Sequence, residues 1–161
     1  MKTLKHIIPG LLIIAGLHAK AQTENSKETF LQISETLMHY IEGTANGEPE
    51  RLKKAFHPDF NLYMVTEDDS LRIRKGEQYV SNIKPGEKSG RIGRIISIDF
   101  ENNAAIAKAE IVIPNRRIFT DYFLLLKYEG SWKIVHKSYT WRAYPKSEKS
   151  KQKRNCWFCY F

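Results

Sequence analysis

Apolar residues recur every three or four positions between residues 30 and 41, which predicts a helix with one buried face. These residues are Phe30, Ile33, Leu37, Tyr40 and Ile41. Asn25 and Glu28 have the spacing of a capping box, so the helix is expected to begin there. The segment Gly43 to Gly47 is expected to end it.

Two shorter helices are predicted after the first. Pro49 is suited to the first turn of a helix, which the sequence His57-Pro58-Asp59 should end. A third helix is expected over Glu77 to Ile83. Between these two helices, residues 61–66 and 71–74 are strand candidates on either side of a polar turn. The inward residues of the two helices are Leu52, Ala55 and Phe56, then Tyr79, Val80 and Ile83.

From residue 91 the apolar period changes to two, which indicates strands. Residues 95–101 and 104–113 flank Asn102-Asn103, a pair that tolerates the positive φ of a two-residue hairpin turn. In that register Ala105, Ala107 and Ala109 face Phe100, Ile98 and Ile96. Small residues on one face predict either a closely packed helix or a cavity beside the sheet.

The segment from Asp121 to Trp141 predicts a second hairpin with a three-residue loop at residues 128–130. In this register Tyr122 pairs with His136 on the inner face. Asp121 pairs with Lys137 on the outer face, where opposite charges stabilise a cross-strand pair. Four aromatic residues also fall on the outer face and predict a homodimer interface, since such a patch usually marks an interface. They are Phe119, Phe123, Tyr139 and Trp141.

Helices followed by a run of strands predict an α+β fold. The domain is expected to span residues 22–145, because residues 1–21 have the basic start, short apolar run and Ala19-Lys20-Ala21 motif of a signal peptide. Cleavage near Ala21 would export the protein to the periplasm or the medium. An uncleaved anchor is the alternative.

The net charge of +8 is concentrated at the two ends of the chain. Residues 22–145 contain 18 basic and 17 acidic residues, so the sequence predicts no nucleic-acid partner. Residues 146–161 form a basic and aromatic tail that is expected to be disordered. Contact between this tail and an anionic membrane is an alternative. Its Cys156 and Cys159 are two ligands short of a zinc site.

A series of short segments resembles the nuclear transport factor 2-like superfamily, also called SnoaL-like or cystatin-like, and within it the putative lumazine-binding family. The resemblance covers residues 28–141. It implies three N-terminal helices packed on a strongly curved antiparallel sheet, which together form a cone with an internal cavity. It also implies dimerisation through the outer sheet face. The segments are Tyr40-Ile41-Glu42-Gly43, Glu50-Arg51-Leu52, Ala55-Phe56-His57-Pro58, Gly93-Arg94-Ile95, Ala104 to Glu110, Thr120-Asp121-Tyr122, Leu124 to Lys127 and Gly130 to Val135.

Several polar residues are candidates for the cavity. His136 and Tyr122 could exchange protons with a ligand or form a hydrogen-bonded core pair. Asp59 is the carboxylate nearest the strand on which the superfamily's steroid isomerases place their base, although residues 61–66 themselves contain no carboxylate. The expected cavity residues are Tyr40, His57, Tyr63, Tyr122 and His136, and the catalytic candidates are His136, Tyr122 and Asp59.

Three functions are compatible with these observations. The first is an exported, non-enzymatic, dimeric domain that binds a small apolar or amphipathic molecule. The second is a cofactor-free lyase, isomerase or cyclase of the SnoaL-like type, and the third is an interaction protein with a filled interior. An enzyme should place at least two titratable groups within hydrogen-bond reach at the cavity floor. No phosphate loop, metal-ligand cluster or nucleophile motif is present, so no cofactor or metal is expected.

Overall fold

Three helices and six strands make up the part of the chain that the computed structural model describes, residues 9–145, with side chains described from Glu24 onward. The helices precede most of the strands, so the predicted α+β class is confirmed. The elements are α1 (Pro9–Asn46), α2 (Pro49–Ala55), β1 (Phe56–Val65), β2 (Leu71–Lys75), α3 (Gly76–Ser81), β3 (Ile92–Glu101), β4 (Ala104–Ile113), β5 (Arg117–Tyr128) and β6 (Ser131–Ala143).

The six strands form one sheet in the order β2-β1-β6-β5-β4-β3. Neighbouring strands are antiparallel except β1 and β6, which are parallel. The sheet is therefore antiparallel, as expected, except at this one pair. No hairpin joins β1 to β6, so the connection between them does not impose an antiparallel direction.

Helix α1 is continuous from Pro9 to Asn46, so the predicted start at Asn25 is wrong. The chain contains neither glycine nor proline between Gly16 and Gly43, and nothing in that stretch forces the helix to end. Four members of the predicted apolar face are buried, namely Ile33, Leu37, Tyr40 and Ile41. Phe30 is instead 45% exposed.

Part of each terminal segment lies beyond the residues that the structure describes. Residues 1–8 and the tail 146–161 lie beyond the described residues, so signal-peptide cleavage and the role of the tail remain predictions. Within the described part of the chain, no helix has both the length and the hydrophobicity needed to cross a membrane.

A close approach of α1 to the sheet occurs at Gly93. A Cβ atom at this position would lie 2.5 Å from Cγ2 of Ile41, so only glycine fits under the helix. The neighbouring alanines of β4 are buried, as expected of small residues beneath a helix. A bulge shifts the pairing of Ala109 from the predicted Ile96 to Ile95.

The hairpin of β5 and β6 differs from its predicted register. Its loop has two residues, Glu129 and Gly130, because Tyr128 pairs with Ser131. A bulge at Val135 then shifts the strand pairing by one more residue. Asp121 is consequently opposite Tyr139, and His136 is opposite Leu124.

These shifts exchange the two faces of β5. Asp121 and Lys137 lie on the inner face, with 1% and 4% of their surfaces exposed. Although not directly opposite each other, they form an ion pair in which Lys137 Nζ is 2.8 Å from Asp121 Oδ2. The predicted pairing of these charges is thus replaced by a diagonal contact inside the core.

The buried ion pair leads to a stability prediction. Lys137→Met should lower the free energy of unfolding by about 3–5 kcal/mol, because it leaves the Asp121 carboxylate buried without its counter-charge. Urea unfolding followed by circular dichroism measures this loss. Lys53→Met is the matched control, since Lys53 forms an exposed pair with Glu50 and its loss should cost under about 1 kcal/mol.

A double variant separates the ion pair from the packing of its side chains. If Asp121→Asn and Lys137→Met are combined, the loss should be smaller than the sum of the two single losses, because no unpaired charge remains. Strictly additive losses would show that the two groups do not interact.

Candidate functional site

A pocket of about 530 Å³ lies on the inner side of the sheet. Its walls come from β1, β2, β5 and β6, with Tyr40 of α1 and Tyr79 of α3 closing one side. The buried residues Tyr40, Asp121 and Lys137 mark its inner end, and the exposed Glu67 and Asp68 mark its rim. The pocket has the volume of an ordinary small-molecule site, about 300–1,000 Å³.

Three polar side chains form a connected cluster at the inner end of this pocket. The Tyr40 hydroxyl donates to Asp121 Oδ2 at 2.6 Å. Lys137 Nζ donates to the Tyr40 oxygen at 2.5 Å and pairs with the same carboxylate oxygen of Asp121. The three groups come from α1, β5 and β6, so the cluster depends on the packing of the helix against the sheet.

Aromatic rings surround the ammonium group of Lys137. Its Nζ is 4.5 Å from the ring centre of Tyr40 and 5.1 Å from that of Tyr139. Tyr79 and Phe123 lie slightly farther away, at 5.7 and 5.9 Å. The negative faces of such rings stabilise a cationic group that has lost much of its water.

The cluster offers both a hydrogen-bond donor and a hydrogen-bond acceptor. Burial, with a further contribution from the Asp121 carboxylate, raises the pKa of Tyr40 well above its ordinary value. Tyr40 therefore keeps its proton at neutral pH and serves as a hydrogen-bond donor. Asp121 Oδ1 is buried and has no hydrogen-bond partner among the described residues. This oxygen is the free acceptor at the inner end of the pocket.

The outer part of the pocket is rich in arginine. Arg72, Arg74, Arg91 and Arg117 all line it, against the two carboxylates Glu67 and Asp68. None of these arginines forms an ion pair with a described residue, whereas Arg51, Arg94 and Arg142 all do. The guanidinium of Arg117 lies 4.3 Å from the ring centre of Trp141.

Tyr122 and His136 lie on the opposite side of the sheet from the pocket. Both line a separate hollow of about 430 Å³ on the outer face, and Tyr122 is 46% exposed. No hydrogen bond joins them within the described structure. Their predicted place in the internal cavity is thus wrong, because the two-residue loop and the bulge turn both side chains outward.

Of the remaining candidate residues, one lies in the pocket and three lie outside it. Tyr40 lies in the pocket as expected. Tyr63 is on the outer face, where its ring stacks on His136 at 4.6 Å. His57 packs edge-on against Tyr128, and the side chain of Asp59 is 92% exposed. None of these three residues lines the pocket, and their functional roles gain no support from its geometry.

The four aromatic residues predicted for a dimer interface are on the inner face of the sheet. Phe119, Tyr139 and Trp141 line the pocket, and Phe123 packs against Tyr40 in the core. The outer face instead exposes the apolar residues Ile96, Ile106, Tyr122, Leu124 and Leu126. An outer-face interface would therefore use a different set of residues.

Sequence reasoning missed Lys137, Asp121 and the arginines as pocket residues. In β6 the inward residues Trp132 and Ile134 are followed by Lys137, because a bulge at Val135 interrupts the alternation. The sequence pattern gives no clear signal of that bulge. Among side chains from Glu24 to Pro145, no group of three His, Cys, Asp or Glu residues is placed to hold a metal ion.

Solved structures with the same architecture align with 71–73% of this chain. An NTF2-like protein of unknown function from Shewanella baltica OS155 is 26% identical, with a TM-score of 0.64 over 73% of this chain and 96% of that protein. Another from Methylobacillus flagellatus KT is 27% identical, with a TM-score of 0.63 over 72% and 94%. A cystatin-like fold protein from Burkholderia xenovorans LB400 shares the fold at 18% identity and a TM-score of 0.54, over 71% and 92%.

Sequence comparison adds a named relative and a family. The protein named Aldolase FrzH, from Cladobotryum sp, is 28% identical over 110 residues, which cover 66% of this chain and 85% of that protein. Residues 28–140 match the family model described as "Putative lumazine-binding". With its α+β fold and NTF2-like structural neighbours, the chain belongs to the putative lumazine-binding family of the NTF2-like superfamily.

Proposed function

We propose that this domain binds a small molecule in the pocket on the inner side of its sheet. The observation that carries the proposal is the buried cluster of Tyr40, Asp121 and Lys137 at the inner end of a pocket of about 530 Å³. At its inner end, aromatic side chains surround these convergent polar groups, an arrangement typical of ligand sites. The family's description, which names binding of a small molecule, supports the same function.

Binding is proposed to take place outside the cytoplasm. The basic start, the short apolar run and the Ala19-Lys20-Ala21 motif support export, with cleavage near Ala21. In that setting the domain is either a binding protein or an enzyme acting on an exported substrate.

A substitution that fills the pocket tests the binding proposal. Met64 lines the pocket, and the adjacent Val65 is 61% exposed. Met64→Trp should abolish ligand retention, because the larger ring occupies the binding space. Val65→Trp is the control and should leave retention unchanged. Native mass spectrometry of the protein purified from its own host measures the bound mass.

The result is unambiguous in each direction. An added small-molecule mass on the wild type and on Val65→Trp, but not on Met64→Trp, supports the pocket as the binding site. A wild-type protein without any bound mass, or equal retention by all three proteins, counts against it.

Cofactor-free catalysis on the bound molecule is a second candidate function. Three titratable groups lie within hydrogen-bond reach at the inner end of the pocket, which meets the geometric criterion for an enzyme. Asp121 Oδ1 has no partner in the described structure, so the carboxylate keeps an oxygen free to accept a proton. The similarity to a protein named as an aldolase favours chemistry at a carbonyl group.

An aldol-type cleavage can be written with these groups alone. Asp121 accepts the proton of a β-hydroxyl group, and the electron pair of that O–H bond forms a new carbonyl. The carbon–carbon bond then breaks, and its electron pair passes to the second carbonyl as an enolate. Lys137 and the Tyr40 hydroxyl stabilise the enolate oxygen, as donors do in an oxyanion hole. Proton return from Asp121 to the enolate carbon completes the balance.

Substitution of the acid–base groups tests this second function. Asp121→Asn should lower the rate of cleavage of a β-hydroxy ketone by about 10²–10⁴-fold, since the general base is lost. Tyr40→Phe, which keeps the ring packing, should lower kcat with a smaller effect on KM. Release of the ketone product measures both rates. Tyr122→Phe and His136→Gln on the outer face are the controls and should leave them unchanged.

Two outcomes contradict catalysis by the cluster. One is a wild-type protein that cleaves none of a panel of β-hydroxy ketones and β-hydroxy acids. The other is an Asp121→Asn variant that is folded and fully active.

A homodimer through the outer face of the sheet is also proposed. Five large apolar side chains on this face are between 44% and 55% exposed, which is unusual for a sheet surface in contact with water. Ile106 of β4 and Leu124 of β5 are directly opposite each other at the centre of this set. A second copy of the chain would cover them.

A charge at the centre of the outer face should prevent this association. Leu124→Asp is expected to convert the dimer to a monomer, because association would then bury an unpaired carboxylate. Size-exclusion chromatography with light scattering measures the mass. Leu71→Asp, at another exposed apolar residue on the edge strand β2, is the control and should remain dimeric. A monomeric wild-type protein overturns the proposal.

A further inference from the structure

The arginines at the outer part of the pocket carry an inference about the kind of ligand. The pocket is lined by five cationic side chains and three carboxylates. Lys137 and Asp121 neutralise each other at the inner end. The outer part therefore holds four arginines against Glu67 and Asp68 and has a net positive charge.

Local contacts do not account for these arginines. Asp68 accepts hydrogen bonds from the hydroxyl groups of Thr66 and Ser70, within its own turn. The hydrogen bond from Thr66, with a smaller contribution from the charge of Arg72, lowers the pKa of the Asp68 carboxyl. Glu67 forms no ion pair with a described residue. Glu67 and Asp68 thus leave the N–H donors of the four arginines available to a ligand.

Arg91 and Arg117 are the two arginines best prepared to bind a ligand. The Nε atom of Arg91 is buried without a hydrogen-bond partner among the described residues. A buried donor that is left unsatisfied destabilises the protein. The guanidinium of Arg117 lies over the ring of Trp141, a contact that restricts its motion. The planar group can then present its N–H donors in a fixed direction.

We propose that the ligand of this pocket is a small organic oxyanion, whose carboxylate or phosphate group binds Arg91 and Arg117. Guanidinium groups bind both kinds of oxyanion through paired charge-assisted hydrogen bonds. The rest of the ligand packs against Phe119, Tyr139 and Trp141 and reaches toward the cluster of Tyr40, Asp121 and Lys137. This inference rests on the proposed binding function and names its ligand class.

Three small aromatic probes test the inference on the full chain. They are benzoate, phenyl phosphate and the neutral benzamide, titrated by calorimetry. At least one of the two anions should bind about tenfold or more tightly than benzamide, because hydrogen bonds to charged groups are the stronger ones. The tighter anion identifies the oxyanion as a carboxylate or a phosphate. Its affinity should fall as salt is added.

Substitutions identify the arginines that bind the anionic probe. Arg91→Gln and Arg117→Gln should each weaken binding of the tighter anion by about tenfold and leave benzamide unchanged. Arg116→Gln is the matched control, since Arg116 is adjacent in sequence, exposed and outside the pocket. In ¹⁵N-resolved NMR spectra the Nε–H signal of Arg91 should shift when the anion is added. That signal reports a change at Arg91 itself and does not depend on the stability of a variant.

The possible failures are distinct. Benzamide binding as tightly as both anions, or equal loss with Arg116→Gln, would overturn the oxyanion inference and leave the binding function standing. A ligand-saturated protein in which the Arg91 Nε–H signal does not move would also overturn it. No saturable binding of any probe would count against both proposals.

Discussion

The buried contact between Lys137 and Asp121 is the interaction on which the rest of this structure depends. Moving both charges out of water is costly, so each group needs a partner and correct geometry. Asp121 Oδ2 meets this need through Lys137 and Tyr40, while four aromatic rings surround the ammonium group. These contacts tie α1 to β5 and β6. They also fix the inner end of the pocket.

The same contact shows how much of the fold the sequence could predict. Helical and strand periods located nearly every element, and the α+β class followed from their order. The family was indicated by the resemblance of short segments. Periodicity did not give the faces of the last hairpin, because one extra residue at Val135 reverses every later side chain in β6. Together with a two-residue loop, it moved Tyr122 and His136 outward and the charged pair inward. A bulge leaves little trace in the pattern of apolar residues. A buried charged pair also has the same sequence signature as an exposed one.

The beginning of helix α1 was missed for a different reason. Asn25 and Glu28 form a reasonable cap, yet a cap is used only where the chain before it leaves the helix. No glycine or proline interrupts the sequence there, so the helix continues through both residues. The arginines of the pocket were missed because they lie far apart in the chain, before β3 and within β2 and β5. Only the curvature of the sheet brings them to one opening.

The energetics of the charged cluster favour a functional role for it. A well-packed apolar pair of similar volume is often as stable as a buried ion pair or more so, so stability alone gives weak grounds for Lys137 and Asp121 at these positions. A purely structural pair would also satisfy all its polar atoms, whereas Asp121 Oδ1 and Arg91 Nε remain without partners in the described structure. Both residues line one pocket. One is an acceptor and the other a cationic donor, so a ligand with a donor at its inner end and an oxyanion at its outer end would complement both.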